Sequence, residues 1–173
     1  TEEFTVEGAK GARRPDIVLF VNGIPFVIIE NKRRDKNESL DEAISQHLRN
    51  QKKELGVPRL FHYAQLLMAV HPNEVKYAVT GTPKKFWSVW KEDNLSQAQK
   101  LLASKYHKTD AIDRLATHQD QSFLSLCHPQ RLVDLVYKFI VFDGPDKKIA
   151  RYQQYFAVQE ALRRIKQTDT EGV

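Results

Sequence analysis

An α/β fold with a helical C-terminal extension is what this sequence predicts. Three observations point there. Up to residue 92, short apolar runs rich in Ile, Val and Phe are broken by turn signals, which is a strand pattern. One amphipathic helical segment interrupts those runs. Beyond residue 92, apolar residues recur with helical spacing.

The elements follow in order. Phe4–Val6 is a short candidate strand, and Gly8 to Gly11 a loop. Asp16–Val21 and Ile24–Ile29 are apolar runs separated by Asn22-Gly23, a strong hairpin signal. Both are apolar on both faces, so both are expected in the middle of a sheet. Ser39 and Glu42 form a Ser-x-x-Glu capping box that opens a helix. Leu40, Ile44, Leu48 and Leu55 supply its apolar stripe, and Gly56 and Pro58 stop it. Leu66–Val70 and Val75–Thr80 read as two more strands joined at Pro72-Asn73. Segment 93–128 is polar with patches of helical pattern. Pro129 suits a helix start, with Leu132, Val133, Val136, Phe139 and Ile140 as its apolar face. Asp143-Gly144-Pro145 breaks that helix. Lys147–Lys166 reads as helix again, with Ile149, Tyr152, Phe156, Ala161 and Ile165 facing inward.

Composition narrows the function classes. The chain has 173 residues, 41% hydrophobic and 28% charged, which excludes collagen-like, mucin-like and fully disordered chains. The longest apolar runs fall far short of the roughly 20 residues a membrane helix needs, so no membrane partner is expected. A single cysteine, Cys127, cannot form an internal disulfide, and a cytoplasmic location is expected. The net charge of +5 suits a nucleic-acid partner without requiring one. The densest basic cluster is Lys32-Arg33-Arg34 with Lys36; its expected role is contact with DNA phosphates. Trp87 and Trp90 suit packing or base stacking. His128 beside Cys127 is no zinc half-site, and the histidines show no paired metal spacing.

One constellation carries chemistry. Glu30 and Lys32 project to the same side of a strand, because strand side chains alternate. Asp16 lies opposite Glu30 if paired residues sum to 46. That register needs an odd connection, such as three residues around Asn22-Gly23-Ile24, with a bulge. A sum of 45 would place Asp16 opposite Ile29 instead. Two adjacent carboxylates repel when both are ionised, and a hard divalent cation such as Mg²⁺ relieves this. With Lys32 beside them, the set suits phosphodiester hydrolysis.

The string from Arg14-Pro15-Asp16 to Asn22-Gly23, followed by Pro25 and Val27-Ile28-Ile29-Glu30-Asn31-Lys32, resembles the nuclease domain of type I restriction enzyme R subunits. That domain belongs to the PD-(D/E)xK superfamily. The resemblance implies a restriction-endonuclease-like mixed central sheet flanked by helices. It also implies that Asp16 and Glu30 bind Mg²⁺ and that Lys32 completes the site. Gln46 matches the Gln of the family's Gln-x-x-x-Tyr element, with Asn50 in place of the Tyr. Pro58 to Leu67, Thr80-Gly81-Thr82, Trp87 and Trp90 resemble the later core. Pro129–Phe142 and Arg151–Val158 resemble the entry to a helicase-like motor, where Gln154 matches a Gln that reads the adenine of ATP.

The division this implies is a nuclease core over 1–92, a connecting segment over 93–128, and a helical linker with the start of the motor over 129–173. The chain is then a fragment cut just past that junction. No Gly-x-x-x-x-Gly-Lys-Ser/Thr loop occurs, so ATP hydrolysis is expected elsewhere in the subunit. The implied partners are double-stranded DNA and the methylation and specificity subunits. Two other readings stand beside this one: a stand-alone PD-(D/E)xK repair or recombination nuclease, and a catalytically inert DNA-binding or docking module.

Overall fold

A computed structural model describes residues 4–8, 10–33, 40–105 and 115–171. Strand β1 (Ile17–Val21) and strand β2 (Ile24–Asn31) form the expected hairpin. Asn22 and Gly23 both adopt positive φ, 50° and 79°, as a two-residue type I′ turn requires. Ile17 pairs with Ile29, Val18 with Ile28 and Leu19 with Val27, each pair summing to 46. Phe20 then pairs with Pro25 and Val21 with Ile24, so the register shifts between Leu19 and Phe20. The predicted register is present, but the connection is not a three-residue loop. A bulge leaves Phe26 outside the pairing and supplies the odd residue.

Helix α1 (Leu40–Asn50) crosses over to β3 (Leu66–His71), which pairs parallel to β2. A parallel neighbour needs such a crossover. Ser39 of the expected capping box lies outside the described residues. Leu40 and Ile44 are buried as expected, and Leu48 is half-buried. Leu55 lies beyond the helix, because α1 ends at Asn50 and the chain turns back at once. A Cβ on Gly56 would sit 2.1 Å from the Asn50 carbonyl oxygen, so only glycine permits this close approach. Val57 N–H then donates to Asn50 O at 2.8 Å. A short helix, α2 (Pro58–His62), follows.

Strand β4 (Glu74–Ala78) pairs antiparallel with β3, and β5 (Ser88–Val89) with β4. The sheet order is β1-β2-β3-β4-β5. β2 is central and buried, as expected. β1 is not central: it is the edge strand, and Ile17 and Phe20 are 42% and 45% exposed. The crossover gives β2's other flank to β3, which leaves β1 outermost. Phe4 covers part of it, edge-on to Phe20 at 5.2 Å, while Val6 forms only a bridge to Arg13.

Segment 93–128 contains α3 (Leu95–Lys105) and α4 (His118–Cys127), the latter opened by a capping box between Thr117 and Asp120. Helix α5 (Pro129–Lys138) begins at proline as expected. Two expectations beyond it are corrected. Ile140 belongs to strand β6 (Ile140–Asp143), and Lys147–Ile149 to β7 (Asp146–Ile149), joined as a separate hairpin. Asp143-Gly144-Pro145 is therefore a hairpin turn rather than a break between helices. Helix α6 runs Tyr152–Glu171. Val133, Ala161 and Ile165 are exposed instead of inward.

The sheet is covered on both faces. Ile28, Leu67, Ala69 and Ala78 pack under α1 with Ala43, Ile44, Phe61 and Trp87. On the opposite face Val27, Met68, Val70 and Tyr77 pack with Leu126, Leu132, Leu135 and Tyr155. That second core draws on all three segments distinguished in the sequence.

Candidate active site

Three elements build the site. The β1–β2 register brings Asp16, just before β1, beside Glu30 near the end of β2. Asn31 N–H donates to Asp16 Oδ2 at 2.7 Å and holds that carboxylate across the strands. Lys32 N–H donates to Val70 O at 2.8 Å, which fixes the chain just past β2 against β3. Alternation puts Glu30 and Lys32 on the α1 side of the sheet, with Ile28. α1 then delivers Gln46 between them. Its Nε2 donates to Glu30 Oε2 at 2.5 Å, and its Oε1 accepts from Lys32 Nζ at 3.1 Å.

The two carboxylates differ in surroundings. Asp16 is exposed, whereas Glu30 is fully buried. Burial, reinforced by the Asp16 charge, pushes the Glu30 carboxyl up to about 8, against the opposing pull of Lys32 and Arg49. Glu30 Oε1 is buried with no hydrogen-bond partner. A buried carboxylate oxygen without a donor, facing a second carboxylate, fits a hard divalent cation. No group of three or more His, Cys, Asp or Glu suited to a metal occurs among the described residues. Asp16 and Glu30 are thus a two-carboxylate set, the number Mg²⁺ accepts when water and a phosphate oxygen complete its shell.

The other candidate residues fall as follows. Arg33 is exposed directly after Lys32, while Arg34 and Lys36 lie outside the described residues. Asn50 does not accompany Gln46 into the cleft; it is buried at the end of α1, against Gly56. Gln154 lies in the first turn of α6, where its Oε1 accepts the Arg151 N–H at 2.8 Å, a capping contact. Trp87 and Trp90 are buried, which settles them as packing residues. The Cys127 thiol is pushed up to about 12 by burial, so it is no nucleophile.

Two residues escaped the sequence reading. Arg49 sits three positions past Gln46 on α1 and acts on the Glu30 charge. His47 is fully buried, packs on Trp87 and Phe61, and donates from Nε2 to Met68 O at 2.9 Å. Helical spacing from Gln46 could have found Arg49. Nothing local marks His47.

A five-stranded mixed sheet flanked by helices, with an acidic pair and a lysine at the end of β2, defines a restriction-endonuclease-like α/β protein. Residues 1–86 match the family described as type I restriction enzyme R protein N terminus. The chain belongs to this family. It is 28% identical over 168 residues to the type I restriction enzyme HindI endonuclease subunit of Haemophilus influenzae, covering 92% of this chain and 14% of that protein. Two proteins of Methanocaldococcus jannaschii, provisionally named the type I restriction enzyme MjaIXP and MjaVIIP endonuclease subunits, are 30% and 34% identical. Each match covers 88% of this chain and 14% of the relative. The chain thus spans about one seventh of the length of these relatives. No described helix is long and apolar enough to cross a membrane.

Proposed function

We propose that this chain is the endonuclease module of a type I restriction enzyme R subunit and hydrolyses phosphodiester bonds of double-stranded DNA with Mg²⁺. The observation that carries the reading is the buried, unpartnered Glu30 Oε1 beside Asp16, tied through Gln46 to Lys32. Asp16 and Glu30 would hold the ion. Bound there, Mg²⁺ stabilises negative charge on phosphate oxygens and lowers the pKa of water. Lys32 donates to the phosphate as its charge develops, and Gln46 keeps the ammonium and the carboxylate in one orientation. Arg33, with Arg34 and Lys36, supplies sequence-independent backbone contacts. Specificity then comes from the methylation and specificity subunits. ATP-driven translocation belongs to the rest of the subunit, with Gln154 as its contribution to the nucleotide site from this chain.

The test uses the assembled enzyme. Asp16→Ala and Lys32→Ala should abolish cutting while DNA binding persists. Wild-type cutting by either variant would refute the assignment and leave a DNA-binding or docking module.

A further inference from the structure

The flank of α1 that faces the acidic pair carries a second cation. Gln46 and Arg49 are three residues apart and share that flank, with Arg49 about 4.5 Å further along the helix axis. Gln46 is tied down, through Nε2 to Glu30 Oε2 and through Oε1 to Lys32 Nζ. Arg49 is not. It is exposed, and its guanidinium makes no hydrogen bond or ion pair among the described residues. The far flank differs: there Lys84 Nζ closes on Asp41 Oδ2 at 3.1 Å.

Two carboxylates lie close by, and the Arg49 charge is felt at Glu30. Arg49 bonds neither of them. Glu30 is fully buried, and Gln46 holds its Oε2. Asp16 Oδ2 accepts the Asn31 N–H at 2.7 Å. The guanidinium therefore stands at the rim of the site as an unneutralised charge with its donors unused.

Charge and shape define what it takes. A guanidinium is a planar fork that fits two oxygens of one phosphate. Arg49 also disfavours a divalent ion at Asp16 and Glu30, because like charges repel. An anion brought to the rim offsets that penalty. The basic line continues along the chain, with Lys52 and Lys53 exposed in the turn after α1. A row of cations suits the repeating charge of a nucleic-acid backbone.

We infer that Arg49 grips a phosphate of the DNA strand at the acidic pair, next to the phosphate that Lys32 addresses, and so sets the position of the strand over Asp16 and Glu30. Lys32 is committed through Gln46, which stands between the two cations, so they serve neighbouring phosphates rather than one. The grip's place beside the reacting phosphate rests on the nuclease reading; the grip itself does not. A backbone contact carries no base preference, so it holds any sequence.

The experiment measures binding of the chain to short duplexes of two unrelated sequences across a range of salt, with Ca²⁺ in place of Mg²⁺. Arg49→Ala should weaken binding to both duplexes equally and make the slope of log affinity against log salt shallower by about 1, the loss of one phosphate contact. The site is exposed and alanine is the best helix former, so this variant folds. Arg49→Lys keeps the charge and should keep the slope. Lys84→Ala, on the far flank, should leave it unchanged. In the assembled enzyme Arg49→Ala should lower cutting about tenfold or more through misplacement of the strand.

An unchanged slope in Arg49→Ala would overturn the inference, and tighter Ca²⁺ binding alone would make Arg49 a tuner of the acidic pair. An equal change of slope in Lys84→Ala would overturn it as a general effect of charge. Absence of duplex binding by the wild-type chain would overturn it too. Asp16→Ala separates this inference from the nuclease reading. Wild-type cutting by Asp16→Ala beside the Arg49 slope change would remove the nuclease reading and keep the phosphate grip. Loss of cutting beside an unchanged slope would remove the grip alone.

Discussion

The two faces of the sheet are built on opposite terms. The face opposite α1 is closed by large apolar groups, with Leu126 and Leu135 fully buried among Met68, Tyr77 and Tyr155. The α1 face buries Glu30, His47 and Asn50 alongside Ile28, Ile44, Phe61 and Trp87, and each of the three leaves one polar atom without a partner. A buried unpaired polar group costs on the order of 1–3 kcal/mol. One face therefore provides stability, and the other gives some up where the candidate chemistry sits. Departures from local folding rules mark functional places in this way.

The largest expected effect tests the α1 face. Glu30→Gln keeps the shape and removes the charge. Cutting by the assembled enzyme should fall by roughly 10²–10³-fold or more, while the metal-free chain should melt no lower than wild type at pH 8. A large loss of stability would erase the contrast between the faces. Leu135→Ala probes the other face. It should cost about 2–5 kcal/mol in denaturant unfolding and leave the divalent-ion affinity of the folded protein unchanged. Gln46→Ala should lower cutting by about 10–100-fold, as expected for a residue that orients ligands without holding the ion.

The smallest signal is the pH profile of the metal-free chain. The Glu30 carboxyl is raised, so the stability it contributes is full below its ordinary 4.5 and is lost as pH rises through about 8. His47 is lowered by burial, so its contribution is full above 6.5 and is lost as pH falls through about 4. Melting temperature should peak between these limits. Glu30→Gln should flatten the alkaline side, and Mg²⁺ should raise that side alone. A profile unchanged by Mg²⁺ would separate Glu30 from any ion.

The hairpin and the acidic pair were legible because they rest on near-neighbour rules: Asn22-Gly23 sets the turn, and strand alternation sets the side of Glu30 and Lys32. Their register was open between two values until the chemistry favoured one. The bulge at Phe26 was less legible, since a bulge leaves its mark in pairing and not in composition. Gln46 was found through resemblance, and its two bonds only through the packing of α1. The β6–β7 hairpin was misread as helix because four-residue strands are too short to show a period. His47 was invisible because its surroundings come from residues distant in sequence.

Phe26 makes the site a matter of counting. Drawing that one residue into the ladder opposite Leu19 would shift the Asp16 side by a step and set its carboxylate against Ile29, with every proposed catalytic side chain intact. Deleting Phe26 should therefore keep the acidic pair together, whereas a change that flattens the bulge should part it, so the hairpin is free to lose this residue but not to straighten around it.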